Sequence, residues 1–191
     1  THLIYPTTNF KAIEQVTLER GEGCYVWDNQ GNQYLEGLAG LWCTALGYGN
    51  QEVIATATEQ MNKLTFNHMF GGKTHQVAID LADKLASMIP MDDAVISFGN
   101  SGSDANDTHI KLLRYYHEAI GKPERRKIIA RDRSYHGVTV AAASLTGLPV
   151  TQNHFDLPVD ALGILRTDHP HYYRGKQGNE TETEFVDRIV G

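Results

Sequence analysis

Cysteine is nearly missing from this 191-residue chain. Cys24 and Cys43 are the only two, and no Cys-x-x-Cys pair occurs. That argues against a disulfide framework and fits a reducing, cytoplasmic setting. Long apolar runs are missing too. None approaches the roughly 20 residues that a membrane span needs, so no membrane partner is expected. Positive charge is also in short supply. Seventeen Lys and Arg stand against 23 Asp and Glu, a net charge of −6, which speaks against nucleic acid as a partner. The basic triplet at 125–127 is too short to change that. Repeats, low-complexity segments and a signal-peptide pattern are absent as well. What remains is an ordinary globular composition, 41% hydrophobic and 21% charged, on a chain long enough to bury a core. The chain begins with Thr1, and "FVDRIVG" ends it inside a helix-like pattern. It is therefore expected to be a piece of a longer polypeptide.

The pattern changes along the chain. "CYVWDNQGNQYLEG" (24–37) reads as a β-hairpin around a turn of Asp28, Asn29, Gln30 and Gly31. "GLAGLWCTALGYGN" (37–50) is glycine-rich and aromatic and reads as loop. Helical patterns cover about 51–63 and 74–88. "AVISF" (94–98) is a short apolar run of the kind a buried parallel strand shows. A helix runs on to about Ile120, with Ala105, Leu112, Leu113, Tyr116 and Ile120 at helical spacing. "KIIAR" (127–131) predicts a second buried strand, "VTVAAASLTG" a helix, and "ALGILRT" (161–167) a third strand. From about residue 94 the order is strand, helix, strand, helix, strand. This implies an α/β fold, a mostly parallel sheet with covering helices, preceded by an N-terminal arm and β-hairpin. Residues 1–50 form the arm and hairpin segment, and 51–191 the first part of a larger domain.

In open α/β sheets, ligands gather at the carboxyl ends of strands. Two loops are expected there. "GNSGS" follows AVISF and opens a helix. Gly99 and Gly102 let a ligand approach the backbone, and the helix N-terminus attracts negative charge. Ser101 and Ser103 add hydroxyls. A single phosphate monoester suits this loop. So does a plain capping box from Ser101 to Asp104, and both readings stand. No GK[ST] follows, and the glycine spacing is not GxGxxG, so nucleotide loops of those kinds are not supported. The second loop, "RDRSYHG", places Tyr135 and His136 before Gly137. A tyrosine ring here could cover a flat heterocycle; equally, Tyr135 could be surface packing and His136 a helix cap.

Together, "NSGSDANDTHIKLLRYY" and, about thirty residues later, "SYHGVTVAAASLTG" resemble the class III aminotransferases. These are fold type I enzymes that use pyridoxal 5'-phosphate (PLP). "GEGCYVWDNQGNQYLEGLAGLWCTALGYGN" resembles the N-terminal region of the same family. The wording "GLWC" and "SYHGVT" is most similar to the ω-transaminase branch. The resemblance implies that Ser101, Gly102 and Ser103 hold the PLP phosphate. It implies that Tyr135 stacks on the pyridine ring with His136 beside it, and that Trp42 is a substrate-pocket aromatic. Phe70, in "NHMFGG", resembles a segment that reaches the partner's pocket in a family homodimer. Thr7 stands where relatives often carry an aromatic, and Asp104 where many have Glu.

PLP chemistry also needs a lysine for the Schiff base and a carboxylate for the ring nitrogen. None of the eight lysines (11, 63, 73, 84, 111, 122, 127, 176) stands in a family lysine context. Asp132 and Asp160 are poor substitutes for the carboxylate. The expectation is thus an enzyme that passes the amino group of a primary amine or ω-amino acid to a 2-oxo acid such as pyruvate. This chain would supply the phosphate cradle and ring stacker and be inactive alone. The alternatives are another fold type I reaction, such as a mutase or decarboxylase, or a truncated chain that only binds a partner or phosphate. His169 and His171 read as a surface loop rather than a metal site, and Thr181 or Thr183 as a helix cap.

Overall fold

The computed structural model describes residues 2–6, 8–9 and 11–191; Thr7 lies outside the described residues. By packing, the chain divides into two units, residues up to Val95 and Ile96–Gly191, and each is described by itself.

In the first unit the hairpin has an extra strand. β1 (Leu18–Glu22) pairs antiparallel with β2 (Tyr25–Asp28), which pairs antiparallel with β3 (Gln33–Leu35). β1 was hidden by its composition, "LERGE", with three charged residues and one glycine. Arg20 explains how such a strand is held: its guanidinium lies 3.6 Å over the Trp27 ring. Asp28 builds the β2–β3 turn. Its carboxylate accepts the N–H groups of Gln30 and Asn32, the Asn32 amide and the Tyr34 hydroxyl, all within 2.9 Å. The Asn32 side chain and the other donors hold its pKa down from an ordinary 3.8 to about 2. A carboxylate whose pKa is depressed on folding contributes stability that is complete above its unfolded pKa and lost as pH falls through the folded one. Acid should therefore loosen this turn between about pH 4 and 2. Asp28→Asn should flatten that part of the curve, as read by pH-dependent hydrogen exchange of the Asn32 amide.

The remaining elements of this unit are α1 (Ala39–Trp42), a single turn, and the helices α2 (Gln51–Lys63) and α3 (Gln76–Ala86). Asn50 caps α2 by accepting the Val53 N–H at 3.1 Å, and His75 caps α3 through its ring nitrogen. Both helices fall where the periodicity places them.

In the second unit, α4 (Gly102–Ala119), β4 (Ile128–Arg131), α5 (Val140–Leu145) and β5 (Ile164–Thr167) follow in order. β4 and β5 are parallel, joined by a crossover that contains α5. Ile110 of α4, Ala130 of β4 and Leu145 of α5 form the core, with Ile128 and Ile164 packed against it. The short helix α6 (Tyr172–Gly175) leads to α7 (Glu182–Val190). Thr181 and Glu184 make a reciprocal capping box at the start of α7, and Phe185 is only 2% exposed. Arg188 reaches Asp168 at 3.0 Å and Glu180 at 2.9 Å. The α/β class is as the sequence implies.

Three details are corrected. The segment 94–98 is not a buried strand: it pairs with nothing among the described residues, and Val95 is 93% exposed. An apolar run becomes a strand only beside another strand, and in this unit β4 and β5 pair with each other. Nor is β4 buried on both faces. Ala130 faces the core while Ile129 is 72% exposed, because α4 and α5 contribute a core on one side only. Lastly, the face of α4 turned inward carries Ile110, whereas Leu112, Leu113 and Tyr116 are exposed.

Candidate active site

α4 starts at Gly102 with Ser101 as its N-cap. The Ser101 hydroxyl accepts the Asp104 N–H at 3.1 Å, and the Asp104 carboxylate accepts the Asn100 N–H at 3.1 Å. The capping box is therefore half formed, its acidic arm reaching one residue further back than the standard arrangement. This does not exhaust the helix end. The backbone N–H groups of Gly102 and Ser103 have no partner among the described residues. A Cβ at Gly102 would meet nothing within 4 Å. Two donors, open space and the positive end of an 18-residue helix suit a phosphate. Ser101 and Ser103 each accept an N–H through oxygen, which leaves each O–H free to donate to an anion.

The SYHG loop lies against this turn. The Val138 N–H donates to Ser103 Oγ at 3.0 Å, and Asn106 Nδ2 to the His136 carbonyl at 2.6 Å. Asp107 Oδ1 accepts the Thr139 hydroxyl at 2.8 Å and the Ala142 N–H at 3.1 Å. Gly137 makes the approach possible. Its φ is +125°, and a Cβ there would overlap Ser103 Oγ and stand 2.9 Å from Ser103 Cα and Ala142 Cβ. The two loops are thus brought together by side chains of α4. They are not two strand ends on one rim, since only the SYHG loop follows a strand.

Asn106 and Asp107 were not singled out by the sequence reading. Their signal was available: Ser103, Asn106, Asp107 and Ile110 stand three and four apart, one helical face on which three polar residues continue a buried apolar stripe. Tyr135, 61% exposed, directly precedes His136, whose carbonyl accepts the Asn106 amide of α4. His136 is held by its main chain, its N–H donating to Thr146 Oγ1 at 2.8 Å. It does not cap α5, whose N-cap is Thr139. A separate recess of about 240 Å³ is lined by Asp132, Arg133, Asp168, His169, Arg174 and Phe185 among others. Its charges are mixed, and Asp168 is engaged by Arg188. The His169 and His171 rings stack 5.4 Å apart in the loop after β5.

In the first unit, Trp42 ends α1 and is 77% exposed. It borders a cavity of about 380 Å³, together with Leu46, Tyr48, Val53 and Ile54. α1 is not right-handed. Ala39, Gly40, Leu41 and Trp42 have φ of 49°, 58°, 60° and 65°, a run in the left-handed region that non-glycine residues rarely enter. Phe70 lies in an exposed loop, its ring 6.1 Å from that of His68.

The model of the "Aminotransferase class-III" family matches residues 8–188. The chain belongs to the class III aminotransferases. It is 47% identical over 179 residues to gamma-aminobutyrate transaminase 1, mitochondrial, of Oryza sativa subsp. japonica, covering 93% of this chain and 34% of that protein. It is 46% identical to gamma aminobutyrate transaminase 3, chloroplastic, of Solanum lycopersicum, with the same coverage of 93% and 34%. Among solved structures, the omega transaminase from Pseudomonas jessenii in complex with PMP superposes with a TM-score of 0.93 at 46% identity, over 99% of this chain and 42% of that one. The chain thus spans about a third of the length of these curated relatives. Class III aminotransferases are PLP-dependent enzymes of fold type I, and the N-terminus of α4 in this member offers the donors that a phosphate monoester requires.

Proposed function

We propose that the protein carrying this chain transfers the amino group of a primary amine or ω-amino acid to a 2-oxo acid such as pyruvate. The observation that carries this reading is the pair of N–H groups at Gly102 and Ser103 with no partner among the described residues, on a helix start tied through Ser103, Asn106 and Asp107 to the loop that carries the exposed Tyr135. Bound PLP supplies an electron sink for the carbon that bears the amino group. This chain's residues bind and orient. The Gly102 and Ser103 N–H groups and the two serine hydroxyls would hold the phosphate. The Tyr135 ring would cover one face of the heterocycle and keep water from it. Trp42 and Phe70 would shape the amine pocket, Phe70 in a homodimer. None of the eight lysines is assigned the covalent role. The names of the gamma-aminobutyrate and omega transaminase relatives support this substrate class.

Alanine should form from pyruvate at the expense of such an amine in the intact protein; if no primary amine or ω-amino acid yields it, the reading fails. The phosphate assignment has its own test in Gly102→Asp. The new side chain enters open space, and an acid at a helix start is favourable by itself. Apo stability should hold or rise while PLP affinity falls by roughly 5- to 150-fold, the scale of a lost charge-assisted hydrogen bond. Unchanged PLP affinity would place the phosphate elsewhere.

A further inference from the structure

The left-handed turn at residues 39–42 raises the question of what holds it. Three of its four residues, Ala39, Leu41 and Trp42, carry a Cβ that this backbone region disfavours. Within the loop, the Trp42 N–H donates to the Leu38 carbonyl at 2.9 Å and the Thr44 N–H to the Ala39 carbonyl at 2.8 Å. A side chain also reaches into the turn, the Glu36 carboxylate. Oε1 accepts the Leu38 N–H at 2.9 Å and Oε2 the Gly40 N–H at 2.8 Å, with the Tyr48 hydroxyl 3.5 Å away. The chain folds around this carboxylate, which gathers donors two and four residues on.

Glu36 is itself fixed, its N–H donating to the Cys24 carbonyl at 2.9 Å. Tyr48 is fixed opposite it. Tyr48 exchanges backbone hydrogen bonds with Gly23 at 2.9 and 3.0 Å. Its ring is seated so close to Gly21 that a Cβ there would stand 2.6 Å away. Gly40 lies between them: a Cβ at that position would meet Tyr48 Oη at 3.2 Å and Thr44 Oγ1 at 3.1 Å.

We propose that Glu36 is a positioning residue that sets the orientation of Trp42 at the cavity it borders, and through Trp42 sets which amines are accepted. Glu36 is not a catalytic residue. The inference rests on the reading that Trp42 lines the amine pocket.

The test uses the intact, PLP-loaded enzyme with a slim donor, 4-aminobutyrate, and a bulky one, benzylamine. Glu36→Ala, Glu36→Gln, Trp42→Gly and the Glu36→Ala/Trp42→Gly double variant are compared. Glu36→Ala should shift the ratio of the two KM values by about tenfold, the scale of a reshaped apolar pocket, with kcat within about threefold and the cofactor absorbance band unchanged. Glu36→Gln, which keeps one acceptor oxygen, should shift the ratio less. In the Trp42→Gly background, Glu36→Ala should add less than about twofold, because the residue it acts through is gone. If Trp42→Gly moves the ratio and Glu36→Ala does not, or moves it as much without Trp42, the positioning role is overturned and the pocket reading stands. If Trp42→Gly moves nothing, the pocket reading falls and this inference with it. Should Glu36→Ala lose the cofactor band, Glu36→Gln carries the same comparison.

Discussion

Gly137→Ala is expected to be strongly destabilising for a single added methyl. The added Cβ would overlap Ser103 Oγ and stand 2.9 Å from both Ser103 Cα and Ala142 Cβ. Ser103 Cα belongs to the α4 backbone and Ala142 is fully buried, so neither can swing aside. At φ +125° the alanine backbone is strained as well. Overpacking costs about 1–3 kcal/mol and an unfavourable backbone region about as much again, so a loss of about 3–5 kcal/mol is expected. Unfolding in urea measures it. The SYHG loop would have to leave α4, so PLP retention should fall with it. A loss below about 1 kcal/mol, outside the range for overpacking and strain together, would mean that the loop does not lie against the helix.

Asp107→Ala comes next. The N-cap of α5, Thr139, makes no cap bond to its own helix. Its hydroxyl donates to Asp107 Oδ1, and the same oxygen accepts the Ala142 N–H. A carboxylate from α4 thus caps α5 from outside, where its charge also meets the positive helix end. Removing it takes away two charge-assisted bonds and leaves a partly buried N–H unsatisfied, a loss of about 2–4 kcal/mol. Asp107→Asn retains an acceptor and should lose about half as much. Equal losses for the two variants would show that charge, rather than the hydrogen bonds, matters at this position.

Much of this was legible before the structure. α2 and α4 declare themselves by periodicity, and α4 also by Ser101 at its start. The Asp28–Gly31 turn is written in residues that turn. The runs KIIAR and ALGILRT did become strands, the second only over Ile164–Thr167. The segment 94–98 misled because an apolar run records what a segment can bury and not whether a neighbour is there to pair with it. β1 was missed for the converse reason: a charged strand is stabilised by Arg20 on Trp27 and by its ladder, and neither leaves a period-two pattern. At the site, Ser101, Gly102, Ser103 and Tyr135 could be read as a cup and a ring because those residue types have chemistry of their own. The clamp was harder to see. Asn106 and Asp107 look like solvated helix residues until the partner loop, some thirty positions away, is folded onto them. The left-handed turn at 39–42 has no sequence signature at all, since only one of its four residues is glycine.

The clamp between α4 and the SYHG loop also bears on motion. Ser103, Asn106 and Asp107 make four hydrogen bonds to the segment His136–Ala142, at the His136 carbonyl, the Val138 N–H, the Thr139 hydroxyl and the Ala142 N–H, so the loop cannot leave the helix without breaking them. The two halves of the cup belong to one cooperative unit of local unfolding. On the proposed reading, an anion held by the Gly102 and Ser103 N–H groups would stabilise the closed unit by mass action and so raise the free energy of its opening. Occupancy of the proposed phosphate end would thereby help to order the loop that carries Tyr135.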